Sequence, residues 1–255
     1  MTSTDRIPTN LRTLLILEVL GKSDQPMTAT EINAALGLPK QTVHRLCATL
    51  EQNGFLTRQG RSKHYQVARR LREIGVGLLY NSRDHIVRRQ ILHDVAREVR
   101  ETVNYVVPED SGMSYLDRVE TDWAFRIQLP IGTNVPFHCT ASGKAFLASL
   151  APKSRLKIVS SLKLTHMTAA THTAPDTLLE ELKDIARQGY SLDQEEFLDG
   201  MIAIAVPVKD PSGRFVAALA FHGPTQRISI PEAIGKKEFL QASAARLGEA
   251  LFPEN

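Results

Sequence analysis

No apolar run in this chain approaches the roughly 20 residues a membrane-spanning helix needs. The stretch from Met1 to Asn10 is polar and has no apolar core of the kind a secretion signal carries. A cytoplasmic protein without a membrane partner is the expectation. Cysteine is scarce: Cys47 and Cys139 are the only two in 255 residues and lie far apart, so neither a disulfide framework nor a thiolate metal site has support. There is no internal repeat and no low-complexity segment.

Catalytic motifs are missing as well. Gly143-Lys144 suggests a phosphate loop, but His138 stands where its first glycine belongs and Ala145 replaces the hydroxyl residue that would hold magnesium. Ser142 is not in a nucleophile elbow, because Thr140 occupies the first glycine position. The neighbouring pairs Glu180-Glu181 and Glu195-Glu196 point different ways on a helix or strand and are expected to be solvated. His166 and His172 lie in a polar loop with no third ligand nearby. No catalytic residue, metal or cofactor is expected. Triads do assemble from distant residues, so an enzyme acting on a small acid with an appended DNA-binding domain stays open as the alternative.

What the chain does have is charge asymmetry. Its net charge of +3 divides into 12 basic against 6 acidic residues over positions 1–83 and 19 against 22 over the rest. A basic front on a slightly acidic body fits a nucleic-acid-binding module joined to something else. Within that front, Leu38 to Leu50 reads as an amphipathic helix. Pro39 suits its first position, and Val43, Leu46, Cys47 and Leu50 form one apolar stripe. The opposite face collects Gln41, Arg45, Ala48 and Gln52, bordered by His44 and Thr49, and carries no carboxylate. Thr28-Ala-Thr-Glu31 is a capping box that opens a preceding helix, with Gly37 to end it. A densely apolar stretch over 11–20 supplies a third helix. Two helices joined by a short glycine turn, the second basic, make a helix-turn-helix.

Two short strands, 54–57 and 64–67, follow, and the loop between them holds Arg58, Arg61 and Lys63. They predict a cationic wing whose tip meets phosphate. From these features Gln41, His44 and Arg45 are candidate base readers. Lys40, Arg58, Arg61 and Lys63 are candidate phosphate contacts, and Thr42 completes the expected DNA-facing set. A helix beginning near Arg69 leads out of this region; Gly75 and Gly77 would make it a hinge or would permit close packing.

From His85 the pattern changes to a long amphipathic helix, strand-like segments at 103–107, 113–119 and 123–127, helices at about 141–150, 152–161 and 176–188, strands at 201–206 and 214–221, and a terminal helix from Pro231 to Leu251. Helices around an antiparallel sheet give an α+β fold. Thr140-Ala141-Ser142-Gly143 leads into a helix N-terminus, where free N–H groups and the helix dipole favour an anion such as a ligand carboxylate.

Together these motifs resemble the IclR family of bacterial transcriptional regulators over nearly the whole chain. The likeness is carried by Leu38-Pro-Lys-Gln-Thr-Val-His-Arg-Leu46, by Asn53-Gly54-Phe55-Leu56 and by Pro136-Phe-His-Cys-Thr-Ala-Ser-Gly-Lys-Ala-Phe-Leu147. Further along come Gly189-Tyr190 with Asp193 and Glu195-Glu196, Gly200 to Pro207, and Gly223-Pro224. The resemblance implies a winged helix-turn-helix over 1–70, a linker helix over 71–84, and a GAF-like effector-binding and oligomerisation domain over 85–255. It also implies dimers or tetramers on a palindromic operator in double-stranded DNA and a small organic acid as effector. The family's effector pocket falls on Ala141, Ser142, Asp193, Ala203, Ala220 and His222, with His138 as an added candidate. Ala203 stands where cysteine is frequent, and Ala220 and His222 stand where members that bind very small acids carry serines. Fewer hydroxyls and more apolar wall suggest a ligand with a larger or less polar body.

Overall fold

The computed structural model describes residues 7–23, 25–58, 62–81, 84–127 and 129–252. The chain divides into two compact units, Met1–Asn81 and Ser82–Asn255. The first contains α1 (Thr9–Gly21), β1 (Met27–Thr28), α2 (Ala29–Leu36), α3 (Lys40–Gln52), β2 (Leu56–Arg58), β3 (His64–Val67) and α4 (Arg69–Asn81). The capping box forms: Thr28 N–H donates to Glu31 Oε2 at 2.7 Å and Glu31 N–H donates to Thr28 Oγ1 at 3.2 Å. Gly37 ends α2 with φ of 63°, a left-handed conformation that a β-carbon disfavours. Pro39 sits just before α3 rather than inside it, because its extended ψ of 126° makes it the cap.

The apolar stripe of α3 closes this unit's core. Val43, Leu46, Cys47 and Leu50 are buried with Ile16 and Leu20 of α1, Ile32 of α2, and Leu56 and Tyr65 of the sheet. The sheet is antiparallel in the order β1-β3-β2, with Leu56 opposite Val67 and Arg58 opposite Tyr65. Two residues are too few to show a period, so β1 has no sequence signature. Along α4 no described atom comes within 4 Å of where a Gly75 β-carbon would stand.

The second unit contains α5 (Asp84–Val99), β4 (Thr102–Pro108), β5 (Met113–Val119), β6 (Asn134–Val135), α6 (Ala141–Ser149), α7 (Pro152–Ser161), α8 (Pro175–Gln188), β7 (Ser191–Gln194), β8 (Met201–Lys209), β9 (Phe215–Pro224), α9 (Ile230–Gly235) and α10 (Lys237–Leu251). Its six strands form one antiparallel sheet in the order β6-β5-β4-β9-β8-β7. Small residues on one face, Ala203 and Ala205 of β8 with Ala218 and Ala220 of β9, share a core with Ala141, Ala145 and Leu147 of α6 and Leu178, Leu182 and Ile185 of α8. Their short side chains let α6 lie close over the strands. The alternate residues Ile204, Val206, Leu219 and Phe221 are also buried, so the central strands are covered on both faces. The fold is α+β, a small winged helical unit followed by an antiparallel sheet with flanking helices.

Two sequence expectations need correction. Residues 123–127 form no strand: Trp123 and Phe125 are 47% and 64% exposed, and side chains hold the backbone carbonyls there. Arg118 donates to the carbonyls of Ile127 and Leu129, Arg227 donates to that of Phe125, and Arg126 donates to that of Trp123. Arginine side chains, not a strand ladder, take these carbonyls. The terminal helix is likewise two, α9 and α10, broken between Gly235 and Lys237.

Candidate functional site

The face of α3 opposite its buried stripe is open. Lys40, Gln41, His44 and Arg45 are exposed, Thr42 and Ala48 are half-buried, and Lys63, just before β3 of the wing, is exposed. Burial of four positions at helical spacing forces the polar ones outward, so the orientation follows from the core. Arg58 is exposed but not unengaged: its Nε donates to Glu51 Oε1 at 2.7 Å and its guanidinium stacks 5.3 Å from the Tyr65 ring centre. That bond holds Arg58 above its ordinary pKa, and any phosphate it meets has to compete with Glu51. Arg61 lies outside the described residues. The C-terminal end of α3 is tied down by Asn53 Nδ2 donating to Thr49 O at 2.8 Å and by Arg70 donating to Asn53 O at 2.9 Å.

In the second unit six residues spread along the sequence meet around one cavity: Ala141 and Ser142 at the N-terminus of α6, Asp193 on β7, Ala203 on β8, and Ala220 and His222 on β9. The register brings Asp193 opposite Ala203, and Ala203 opposite His222. His138 is not in the lining. Its Nε2 donates to Thr165 O at 3.0 Å and it is buried elsewhere. The rest of the wall is Asn104, Tyr115, Thr140, Phe197, Met201 and Phe221. Asn104 had a legible signal, a lone amide in the apolar strand Val103 to Val107. The aromatic residues and Met201 had none, because core residues look the same. The free space is about 20 Å³, close to what one water needs.

The polar groups at the cavity are strongly perturbed. Burial pushes the His222 imidazole down to about 4, with the Arg118 charge adding to the effect. Neutral His222 uses both ring nitrogens: Nδ1 accepts from Asn104 Nδ2 at 3.0 Å and Nε2 donates to Ile127 O at 3.3 Å. Burial also raises the Asp193 carboxyl to about 7, and nearby Glu196 adds to the rise. The N–H groups of Glu196 and Phe197, at 2.8 and 3.3 Å from Asp193 Oδ1, and the Lys144 charge oppose it. Asp193 Oδ2 and Asn104 Oδ1 are buried without a hydrogen-bond partner in the described structure, a cost that a ligand can remove. Both cysteines are buried and their thiols are raised to about 11 for Cys47 and about 12 for Cys139, so neither is a poised nucleophile.

The Gly143-Lys144 pair has a structural task. A β-carbon on Gly143 would collide with the Phe137 carbonyl, and Lys144 is fully buried, donating to Glu181 at 2.7 Å and to Glu196. This overturns the expectation of solvated acids for Glu181 and Glu196, whereas Glu180 is exposed as expected. Glu196 is 5% exposed, and Glu195 Oε2 accepts from Gly200 N–H at 2.7 Å. The two loop histidines also differ: His166 is exposed, whereas His172 Nε2 lies 2.7 Å from Glu181 Oε2.

Comparison with known proteins covers both units. Residues 11–60 match the IclR helix-turn-helix domain, and residues 81–248 match the C-terminal domain described as bacterial transcriptional regulator IclR. The chain is 37% identical to a Cupriavidus necator protein named "Probable transcriptional regulator SauR", over 88% of this chain and 89% of that one. It is 31% identical to the transcriptional repressor IclR of Escherichia coli, over 89% of this chain and 84% of the other. Among solved structures, an IclR homolog from Microbacterium hydrocarbonoxydans complexed with 4-hydroxybenzoate superposes with a TM-score of 0.58 at 26% identity, covering 96% of this chain and 99% of that one.

Proposed function

This chain belongs to the IclR family of bacterial transcriptional regulators, and we propose that a small organic acid bound in its C-terminal domain controls how its winged helix-turn-helix holds an operator. It is a DNA-binding regulator with an effector-binding domain, and members of the family are not enzymes. That removes the alternative of turnover in the same cavity. In the proposed complex α3 enters the major groove, with Gln41, His44 and Arg45 at base edges, Thr42 beside them, and Lys40, Arg58, Arg61 and Lys63 on phosphates. The chain acts as a dimer or tetramer on a palindrome, and the segment around 71–84 carries the response. Effector control requires different affinities for the two arrangements of the assembly.

The observation supporting the effector reading is that Ala141, Ser142, Asp193, Ala203, Ala220 and His222 converge on one cavity. An acid group suits the α6 N-terminus and Ser142. Asn104 Oδ1, an acceptor without a partner, suits a hydroxyl or other donor at the far end of the ligand. The apolar wall favours an aromatic or longer body, as does the bound 4-hydroxybenzoate of the Microbacterium homolog. Space for about one water means the wall opens on binding. Phe197, on the turn over 195–200, is a lining residue carried by neither a strand nor a helix.

Isothermal titration with hydroxylated aromatic acids, longer aliphatic acids, glyoxylate and pyruvate tests this. Aromatic or longer acids are expected to bind more tightly, and to shift a footprint over one defined palindrome. Preference for glyoxylate or pyruvate overturns the ligand class.

A further inference from the structure

We infer that His172, Glu181 and Glu196 form a site for a divalent transition-metal ion beside the effector cavity. The three come from separate places: the loop before α8, the second turn of α8, and the turn after β7. One ligand atom from each lies within 4.8 Å of the other two.

Lys144 explains how the carboxylates are presented. Its ammonium takes Oε1 of Glu181 and Oε1 of Glu196, leaving Oε2 of each. Both Oε2 atoms are buried and neither has a hydrogen-bond partner of acceptable geometry in the described structure. Glu196, 5% exposed, is the decisive one, since a buried carboxylate oxygen with nothing to accept is costly. Glu181 Oε2 does have a neighbour, His172 Nε2 at 2.7 Å, but the contact does not have the geometry of a hydrogen bond. Two ligands of one ion stand in that relation, about 3 Å apart when each is about 2 Å from the metal, and directed at the ion instead of at each other.

The surroundings suit an ion as well. His172 Nδ1 meets Thr177 Oγ1 at 3.1 Å, the kind of outer bond that fixes the ring of a ligating histidine. Two carboxylates against one ammonium leave a negative charge in a buried place. One imidazole nitrogen and two carboxylate oxygens suit Zn²⁺ and its first-row neighbours, not a soft monovalent metal. Binding would also act on the cavity wall. Thr168 and Thr171 hydroxyls donate to the carbonyls of Glu195 and Glu196 at 2.6 and 2.7 Å. An ion on Glu196 and His172 would clamp the same turn that carries Phe197 into the cavity.

The test uses the full chain, stripped with chelator and titrated with Zn²⁺ by calorimetry, with Co²⁺ absorption as a readout of the ligand set. Saturable binding of one Zn²⁺ per chain is expected. His172→Ala should weaken it at least about tenfold and abolish the Co²⁺ visible band, and His166→Ala should change neither. Because His172 is partly exposed, its alanine variant is expected to keep the wild-type circular dichroism. Should it misfold, the wild-type His172 ring resonances under Zn²⁺ decide the matter. Absence of saturable binding, equal affinity in His172→Ala, or His172 resonances unmoved by saturating Zn²⁺ overturns the site.

Discussion

The outward face of α3 and the polar groups of the second unit obey opposite electrostatics. Gln41, His44 and Arg45 stand in water, where polar groups stay solvated and the Arg45 charge is screened and costs the fold little. Lys144, Glu196, Asp193 and His222 are at least nine-tenths buried, where each charge must be paired or suppressed, and the pKa values of Asp193 and His222 move accordingly. A surface meant for a polyanion can thus be altered without unfolding the protein. A buried cavity cannot be altered without touching stability. Function in the first unit should separate from folding, and function in the second should not.

The largest break in that comparison is Lys144→Met. It leaves Glu181 and Glu196 facing each other in the interior, and loss of one partner of a buried pair costs about 3 to 5 kcal/mol. Urea unfolding should show the drop, and adding Glu196→Gln should recover part of it. Full stability of the single variant would mean that the network is solvated.

Next comes Asp193→Asn, with the opposite sign. The Asp193 carboxyl titrates near 3.8 when unfolded and near 7 in the fold. It therefore favours folding fully only below about pH 4, and this contribution disappears as pH rises to about 7. Asparagine retains the acceptor for the Glu196 and Phe197 N–H groups and has no such dependence. The variant should match wild type near pH 3 and exceed it at pH 8 by up to about 4 kcal/mol. A constant difference across that range would refute the shifted carboxyl. His222 has the reverse linkage, stabilising above about pH 6.5 and losing that contribution as pH falls towards about 4.

On the open face Arg45→Ala should leave the unfolding midpoint unchanged and cost roughly 1 to 3 kcal/mol in operator binding, with relaxed preference at one base position. An equal loss on every sequence would make Arg45 a phosphate contact. Lys63→Ala is the smallest expected effect: weaker binding to all DNA, with the salt slope reduced by about one. Binding curves at several salt concentrations give that slope directly.

The two regions also differ in how much of them could be read from sequence. The residues of α3 that set its orientation lie within one helix, so a period of 3.6 reveals both faces, and the capping box marks where its predecessor starts. The cavity has no such period. Asp193 meets Ser142 and His222 only because β7, β8 and β9 pair in register and α6 lies across them. Its positions follow from family likeness, and His138, a candidate for pairing with an acid group, lies outside the lining. Asn104 is visible as a polar interruption of a strand, while Phe197 and Met201 are indistinguishable from core. The segment 123–127 differs for a related reason: alternation describes side chains, and here Arg118 and Arg227 from elsewhere, with Arg126 of the segment itself, take the carbonyls.

Sequence by itself determined the basic front, the helix-turn-helix with its buried stripe, the alternating strands and the family, because each rests on local periodicity or ordered motifs. Only the tertiary structure decided that Glu196 and Lys144 are buried partners, that Arg58 is engaged by Glu51, that His172 lies near the carboxylates of Glu181 and Glu196 and that the cavity is nearly closed. Those facts depend on residues far apart in the chain being brought within a few ångströms, and on how much water is left between them.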